Sequence, residues 1–286
     1  MTVESQLTVS AIDSVVRAAL TEDAPWGDVT GTTLIPASAR TTARLVAREP
    51  GVLSGADVFA AAMRLTDDKL TTDFSLADGD GFGAGAELAV VAGPARGLLQ
   101  AERVGLNLLQ RMSGIAALTA EYVREAAGTG ARIVDTRKTT PGLRALERHA
   151  VRCGGGHNHR HSLSDAVMAK DNHLAILTAG GADLAEELIA AKGRLGHTTH
   201  FEVEVDSPAQ IEAVLAAGVD TIMLDNFSID ELRAGVRQVA GRALVEASGN
   251  VNLHTVGAIA KAGVDIISVG ALTHSVRSLD IGLDIS

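Results

Sequence analysis

The sequence predicts an α/β fold: a parallel α/β barrel in the C-terminal part, preceded by a smaller, separate α/β domain. Three observations lead there. From Val203 onward, apolar β-type runs alternate with short helical patterns. A hydrophobic content of 46% with 30 glycines and only 2% aromatics points to Ala, Val and Leu packing of helices on buried strands. No glycine-rich fingerprint follows a first strand, which leaves an open doubly wound sheet as the weaker competitor. A chain of 286 residues has room for one barrel or for two ordinary domains.

Residues 1–115 lack the βα period and read as the first domain. TTARLVAREPGVLSG from Thr41 and the cluster from Asp78 to Gly85 suggest strands joined by turns, with a helix over DVFAAAMRL from Asp57. GDGFGAG has no strand-loop-helix context, so it reads as a tight turn and not as a nucleotide loop. LLQAERVGLNLLQRM from Leu98 is a long amphipathic helix bridging the two domains.

ARIVD (131–135) and AVMAK (166–170) read as the first barrel strands. FEVEV (201–205), TIMLD (221–225), ALVEA (243–247) and DIISV (265–269) follow, with centres about 20 to 22 residues apart. SPAQIEAVLAAG from Ser207, IDELRAGVRQVA from Ile229 and LHTVGAIAKAG from Leu253 are each one crossover helix long. At the junctions AGVDTIML and AGVDIISV a glycine ends the helix and the next strand begins at once. About six βα units result between residues 115 and 275, short of the eight of a closed barrel. The residues after Thr273 are too few for another unit and are expected to fold back on the first domain.

Charge and cysteine content exclude several functions. A net charge of −10 and a single Trp and Tyr argue against nucleic acid, whose binders carry a spread basic face and stacking aromatics. The lone Cys153 excludes a disulfide framework and fits a reducing cytoplasm. No apolar run approaches the roughly 20 residues of a membrane span, and Glu4 precedes any apolar run, so no secretory leader is expected. Positive charge is instead local: Arg132 to Lys170 holds eight of the 25 Lys and Arg against three acids, with four histidines between His149 and His161. Such an island suits a multiply charged small molecule.

In parallel barrels, reactive groups stand at the carboxyl ends of the strands. Those positions carry Asp135 with Arg137 and Lys138, then Lys170, Glu204, Asp225, Ser248-Gly249-Asn250 and Gly270-Ala271. Glu202 and Glu204 alternate with apolar residues and project to one side; with Asp225 they could hold Mg²⁺ through water. The bland alternatives are a salt bridge with Arg137, Lys138 or Lys170 and, for Asp225, a helix cap before Ser228. The SGN and VGALTH loops offer backbone amides for one phosphate, with His274 beside the second, although each glycine taken singly could be only a turn. Arg144, Arg148 and Arg152 form a stripe on a helix that Pro141 starts, and read as an exposed or subunit-contact face. Cys153 reads as a buried small residue, and HNHRH lacks the spacing of a strong zinc site.

DTRKTTPGLRALERHAVRCGGGHNHRHSLSDAVMAKDNH, followed by EVEVDS, LDNF, EASGN and VGALTHS, closely resembles the quinolinate phosphoribosyltransferase family over nearly the whole chain. The resemblance implies an N-terminal α/β sandwich domain (1–115, joined by the tail 275–286) and an incomplete parallel α/β barrel (116–274). It implies that Arg103, Arg137, His159, Arg160 and Lys170 surround quinolinate, with Lys138 between quinolinate and the sugar phosphate, Thr136 also substrate-binding, and Arg103 donated by a neighbouring subunit of a homodimer. Glu204 and Asp225 match the acids that hold the ribose hydroxyls and Mg²⁺ of phosphoribosyl pyrophosphate. Ser248, Gly249, Asn250, Val269, Gly270, Ala271 and His274 match its 5′-phosphate loops. Lys138, His159, Lys170, Glu204 and Asp225 are the implied catalytic group; His161 departs from the family's usual leucine.

The implied reaction joins quinolinate to phosphoribosyl pyrophosphate and releases pyrophosphate and CO₂ as nicotinate mononucleotide forms. Its chemistry is charge handling and alignment through an oxocarbenium-like state, with decarboxylation after N-alkylation. Three alternatives stand beside it: a family relative with another acceptor, a Schiff-base aldolase using Lys170, and a noncatalytic phosphate-ligand sensor.

Overall fold

The computed structural model describes residues 7–285, so Glu4 lies outside the described residues. The chain forms two compact units, Met1–Ala120 with Thr139–Gly155 and Leu272–Ser286, and Glu121–Lys138 with Gly156–Ala271. Elements are numbered in chain order.

The first unit opens with α1 (Val9–Asp23), where the Thr8 hydroxyl accepts the Ala11 amide as the N-cap, and α2 (Val29–Leu34). Its main sheet is antiparallel, in the order β12-β1-β5-β3, from β1 (Arg40–Ala47), β3 (Thr71–Phe74), β5 (Glu87–Pro94) and the C-terminal β12 (Ile281–Ile285). The tail therefore adds a strand to this sheet, with Leu45 opposite Leu283. Alternation in β1 sends Ala43, Leu45 and Ala47 into a core shared with Phe59 and Met63 of α3 (Ala56–Thr66) and Leu98 and Leu109 of α4 (Ala95–Glu125). Each large apolar side chain buried this way contributes roughly 1.5–3 kcal/mol. The glycine-rich cluster makes turns and the short pair β2 (Gly51–Val52) and β4 (Gly81–Phe82).

Helix α5 (Arg144–Cys153) also belongs to the first unit. It starts at Arg144 and not at Pro141. Thr140–Leu143 forms a turn instead, closed by the Leu143 amide on the Thr140 carbonyl, with Gly142 at φ 83°. Pro followed by Gly at the two central positions is the pattern of such a turn. On α5, Glu147 is 1% exposed and accepts from Arg111 Nε (2.9 Å) and from the Thr140 amide (3.1 Å). His149 Nε2 meets Asp78 Oδ2 at 2.7 Å, and the same carboxylate caps α3 by accepting the Gly55 and Ala56 amides. Cys153 is buried beside Ser54 Oγ (3.3 Å), and burial, with the Asp78 charge, pushes its thiol up to about 12. That is the inert reading of Cys153.

The second unit contains six parallel strands in the order β6-β11-β10-β9-β8-β7: β6 (Arg132–Val134), β7 (Val167–Ala169), β8 (Phe201–Val205), β9 (Thr221–Asp225), β10 (Leu244–Ser248) and β11 (Ile266–Ser268). Among the described residues β6 and β7 do not pair with each other, so the barrel is incomplete. A single parallel bridge, Val134 with His157, extends the β6 edge. The connecting helices are α6 (Asp171–Thr178), α7 (Leu184–Lys192), α8 (Ile211–Ala216), α9 (Ile229–Val239) and α10 (Val256–Ala260), with α11 (Ala271–His274) after β11.

Register divides the sheet into two faces. Phe201, Val203, Ile222, Leu224, Val245, Ala247 and Ile267 are buried on one face, where Gly235 of α9 lies against Leu224. Glu202 pairs across with Thr221, Glu204 and Glu246 with Met223, and Ser248 with Asp225, so the polar side chains share the other face, inside the barrel. No helix among the described residues is long and apolar enough to cross a membrane.

Candidate active site

The polar face of the second unit gathers most of the residues the sequence singles out. At the end of β6, Asp135 is fully buried and fixes the segment beyond the bridge. Its Oδ1 accepts the His159 amide (2.7 Å) and its Oδ2 accepts Asn158 Nδ2 (2.6 Å). Arg137 and Lys138 follow on an exposed turn in which the Thr136 hydroxyl accepts the Lys138 amide (3.1 Å).

Arg160 donates from NH1 to the Ala166 carbonyl at 2.9 Å. Burial first, then the like charge of Arg137, pulls its pKa below the ordinary guanidinium value, with Glu202 and Asp165 opposing. Guanidinium groups are strong, often bidentate donors to carboxylates and phosphates.

His159 points its ring into the barrel. Nε2 lies 3.3 Å from Glu202 Oε2 and 3.5 Å from Glu246 Oε1, while Nδ1 receives the Arg160 amide at 2.7 Å. Burial works against the imidazolium, but Glu202 and Glu246 outweigh it and push the pKa up to about 10. The Arg160 amide, by contrast, favours a lone pair on Nδ1. Both influences agree that Nε2 carries a proton and faces the acids. Glu202 is itself pushed up by burial and by the charge of Glu246, against the pull of His159.

Further along the strand ends, Lys170 Nζ is ion-paired with Glu204 Oε2. The salt-bridge alternative for Glu204 is thus present, between two residues both predicted to be in the site. An ion pair here suits anion handling better than the carbonyl addition of an aldolase. Asp225 is not a helix cap: Ser228 caps α9 in a capping box with Glu231. Asp225 accepts instead from Ser248 Oγ (2.5 Å) and Asn226 Nδ2 (2.7 Å). Asn250 Nδ2 then reaches Asn226 Oδ1 at 3.0 Å, tying the SGN loop to the end of β9.

The second predicted phosphate loop is more constrained. Val269 is buried and donates its amide to the Val134 carbonyl (2.9 Å), which leaves Gly270 and Ala271, both half-buried, as the parts of that loop nearer solvent. Arg103, exposed on α4, and His274, exposed at the end of α11, belong to the first unit. The Arg144, Arg148 and Arg152 stripe also lies there. Arg144 Nε donates to Thr139 Oγ1, and an Arg152 guanidinium nitrogen lies 3.4 Å from His149 Nδ1.

Glu246 is the functional-face residue that sequence reasoning missed. Its signal was available: a carboxylate in an apolar strand, two residues before Ser248 and so on the same face.

Comparison with known proteins covers the chain almost end to end. The domain family described as "Quinolinate phosphoribosyl transferase, N-terminal domain" matches residues 28–113, and its C-terminal counterpart matches residues 115–284. A Mycobacterium leprae protein named nicotinate-nucleotide pyrophosphorylase [carboxylating] is 43% identical, over 98% of this chain and 99% of its own length. A probable enzyme of the same name from Bacillus subtilis is 41% identical over 93% of this chain and 90% of its own. The crystal structure of NadC from Streptococcus pyogenes superposes with a TM-score of 0.92 at 40% identity, covering 99% of this chain and all of that one. With both domain families matched in order and relatives similar over their full length, the chain belongs to the quinolinate phosphoribosyltransferase family.

Proposed function

We propose that this chain transfers the phosphoribosyl group of 5-phosphoribosyl 1-pyrophosphate to quinolinate with decarboxylation, giving nicotinate mononucleotide, pyrophosphate and CO₂. The observation that carries the reading is one polar barrel face that joins a cationic end, Arg137 with Arg160, to strand-end acids and the SGN loop. Family membership supplies the reaction.

In this reading Arg137, His159, Arg160 and Lys170 surround the quinolinate carboxylates, Lys138 lies between quinolinate and the sugar phosphate, and Thr136 adds a substrate contact. Ser248, Gly249 and Asn250, with Val269, Gly270, Ala271 and His274, take the 5′-phosphate; Val269 contributes through its fixed backbone, since its amide is engaged. Holding the two anions in line is the main contribution of the protein, an orientation effect of up to about 7–11 kcal/mol in favourable cases. No base is required, because the pyridine nitrogen attacks with its own lone pair. Lys138 or His159 returns a proton to the ring carbon after CO₂ leaves.

Glu204 and Asp225 stand on one face of neighbouring parallel strands as hard oxygen donors, a set that fits Mg²⁺. Each already accepts from a protein donor, Lys170 for Glu204 and Ser248 and Asn226 for Asp225, which suits contact through water. When bound, the ion neutralises charge on the leaving pyrophosphate.

A homodimer in which Arg103 serves the neighbouring subunit's site completes the proposal. Trp26, Val29 and Leu34, at 95%, 76% and 71% exposure in the first unit, support a subunit contact on that unit. The free, buried Cys153 agrees with a cytoplasmic location.

The test is an assay of purified protein with Mg²⁺, phosphoribosyl pyrophosphate and either quinolinate or nicotinate. CO₂ release with quinolinate, none with nicotinate, and loss of turnover in EDTA are expected. Turnover of nicotinate alone would overturn the acceptor assignment, and full activity in EDTA would overturn the metal assignment.

A further inference from the structure

Two carboxylates lie inside the barrel where packing alone would favour Val or Ile. Glu202 is 3% exposed and Glu246 is 1% exposed. Glu202 Oε1 and Glu246 Oε1 accept no hydrogen bond among the described residues. Burying an acid is costly without a partner, and a packed apolar pair is often the more stable choice. A stability role therefore explains these residues poorly.

Both acids converge on the same atom, His159 Nε2: Glu202 Oε2 from β8 at 3.3 Å, and Glu246 Oε1 from β10 at 3.5 Å, an ion-pair contact and not a hydrogen bond. The ring they grip belongs to a segment held from the other side by Asp135, which accepts the His159 amide, and by the Val134–His157 bridge. Arg160 follows directly, its amide on His159 Nδ1 and its guanidinium on the Ala166 carbonyl. Turning the His159 ring would remove the acceptor of the Arg160 amide.

We propose that Glu202 and Glu246 are positioning residues for the quinolinate end of the site: together they hold the His159 ring inside the barrel and so set Arg160 against the substrate carboxylates. This inference rests on the reaction proposed above. It gives a role to Glu246, which touches none of the reacting groups in that proposal.

The experiment is a double-mutant cycle of Glu246→Gln and His159→Gln, with KM and kcat measured separately for the two substrates. Glu246→Gln is expected to raise the quinolinate KM about tenfold or more while the phosphoribosyl pyrophosphate KM stays within about twofold. In the His159→Gln background the same change should add less than about twofold, because the effect passes through the ring. Effects that multiply fully in the double variant, or equal shifts for both substrates, would overturn the proposal in favour of a general structural role. A crystal structure of the unmodified protein with quinolinate decides the matter without any variant. The ring should remain between the two acids, and a ring that has left them would also overturn the idea. If the unmodified protein fails to release CO₂ from quinolinate, the assigned reaction fails; if it turns over and the cycle is additive, only the positioning role does.

Discussion

Gly249→Ala is the substitution whose cost can be worked most directly from the structure. Gly249 sits in the SGN loop at φ 86°, in the left-handed region. A methyl group there would meet Asn226 Oδ1 at 2.2 Å, its Cγ at 2.6 Å and its backbone N at 2.9 Å. The conformation alone costs about 1–2 kcal/mol for a residue with a Cβ. Relieving the clash means moving Asn226, which accepts from Asn250 Nδ2 and donates its amide to the Ser248 carbonyl. Each of the two lost bonds adds about 0.5–1.5 kcal/mol, for a total near 2–5 kcal/mol. Thermal unfolding should drop by about 5–10 °C. Because the strain falls on the phosphate loop, the phosphoribosyl pyrophosphate KM should rise at least about tenfold while the quinolinate KM stays within about threefold. Gly241→Ala is the control: φ is 75° but nothing lies within 4 Å of the added carbon. It should lose only the conformational increment and keep both KM values. A Gly249→Ala protein whose phosphoribosyl pyrophosphate KM matched that of Gly241→Ala would refute the reasoning.

Three further outcomes are expected. Glu147→Ala leaves Arg111 without its buried partner and should cost about 3–5 kcal/mol in urea unfolding; a loss under 1 kcal/mol would mean that the pair is solvated. Glu49 holds the tail through Arg277 and the Asp280 amide, which lower its pKa from 4.5 to about 2. A depressed folded pKa contributes stability above pH 4.5 that is lost as pH falls toward 2, so the deficit of Glu49→Gln measured at pH 7 should shrink across that window. A gap independent of pH would contradict this. Cys153, buried and with its thiol raised to about 12, should resist a thiol reagent at pH 8 until denaturant is added; prompt labelling of the native protein would show an open site.

The periodic βα wording after Val203 was enough to read the parallel strands, since the period of apolar residues reports local structure directly. Strand-end position then picked out Lys170, Glu204 and Asp225, and family motifs added Arg103 and the assignment of Arg137, Lys138, His159 and Arg160. Pairings between distant segments were not legible. Glu246 lies 87 residues beyond His159 in the chain, and only the register of β8, β9 and β10 brings it with Glu202 to one ring nitrogen. The start of α5 was missed because a Pro-Gly turn and a helix N-terminus share the same residues. The partner of a helix such as α5 was equally hidden, because Glu147 meets Arg111 and His149 meets Asp78 only after the chain has folded. Sequence by itself determined the fold class, the family and the chemical types in the site. Tertiary structure alone decided which charges neutralise one another, because that depends on distance and burial, which chain order does not encode.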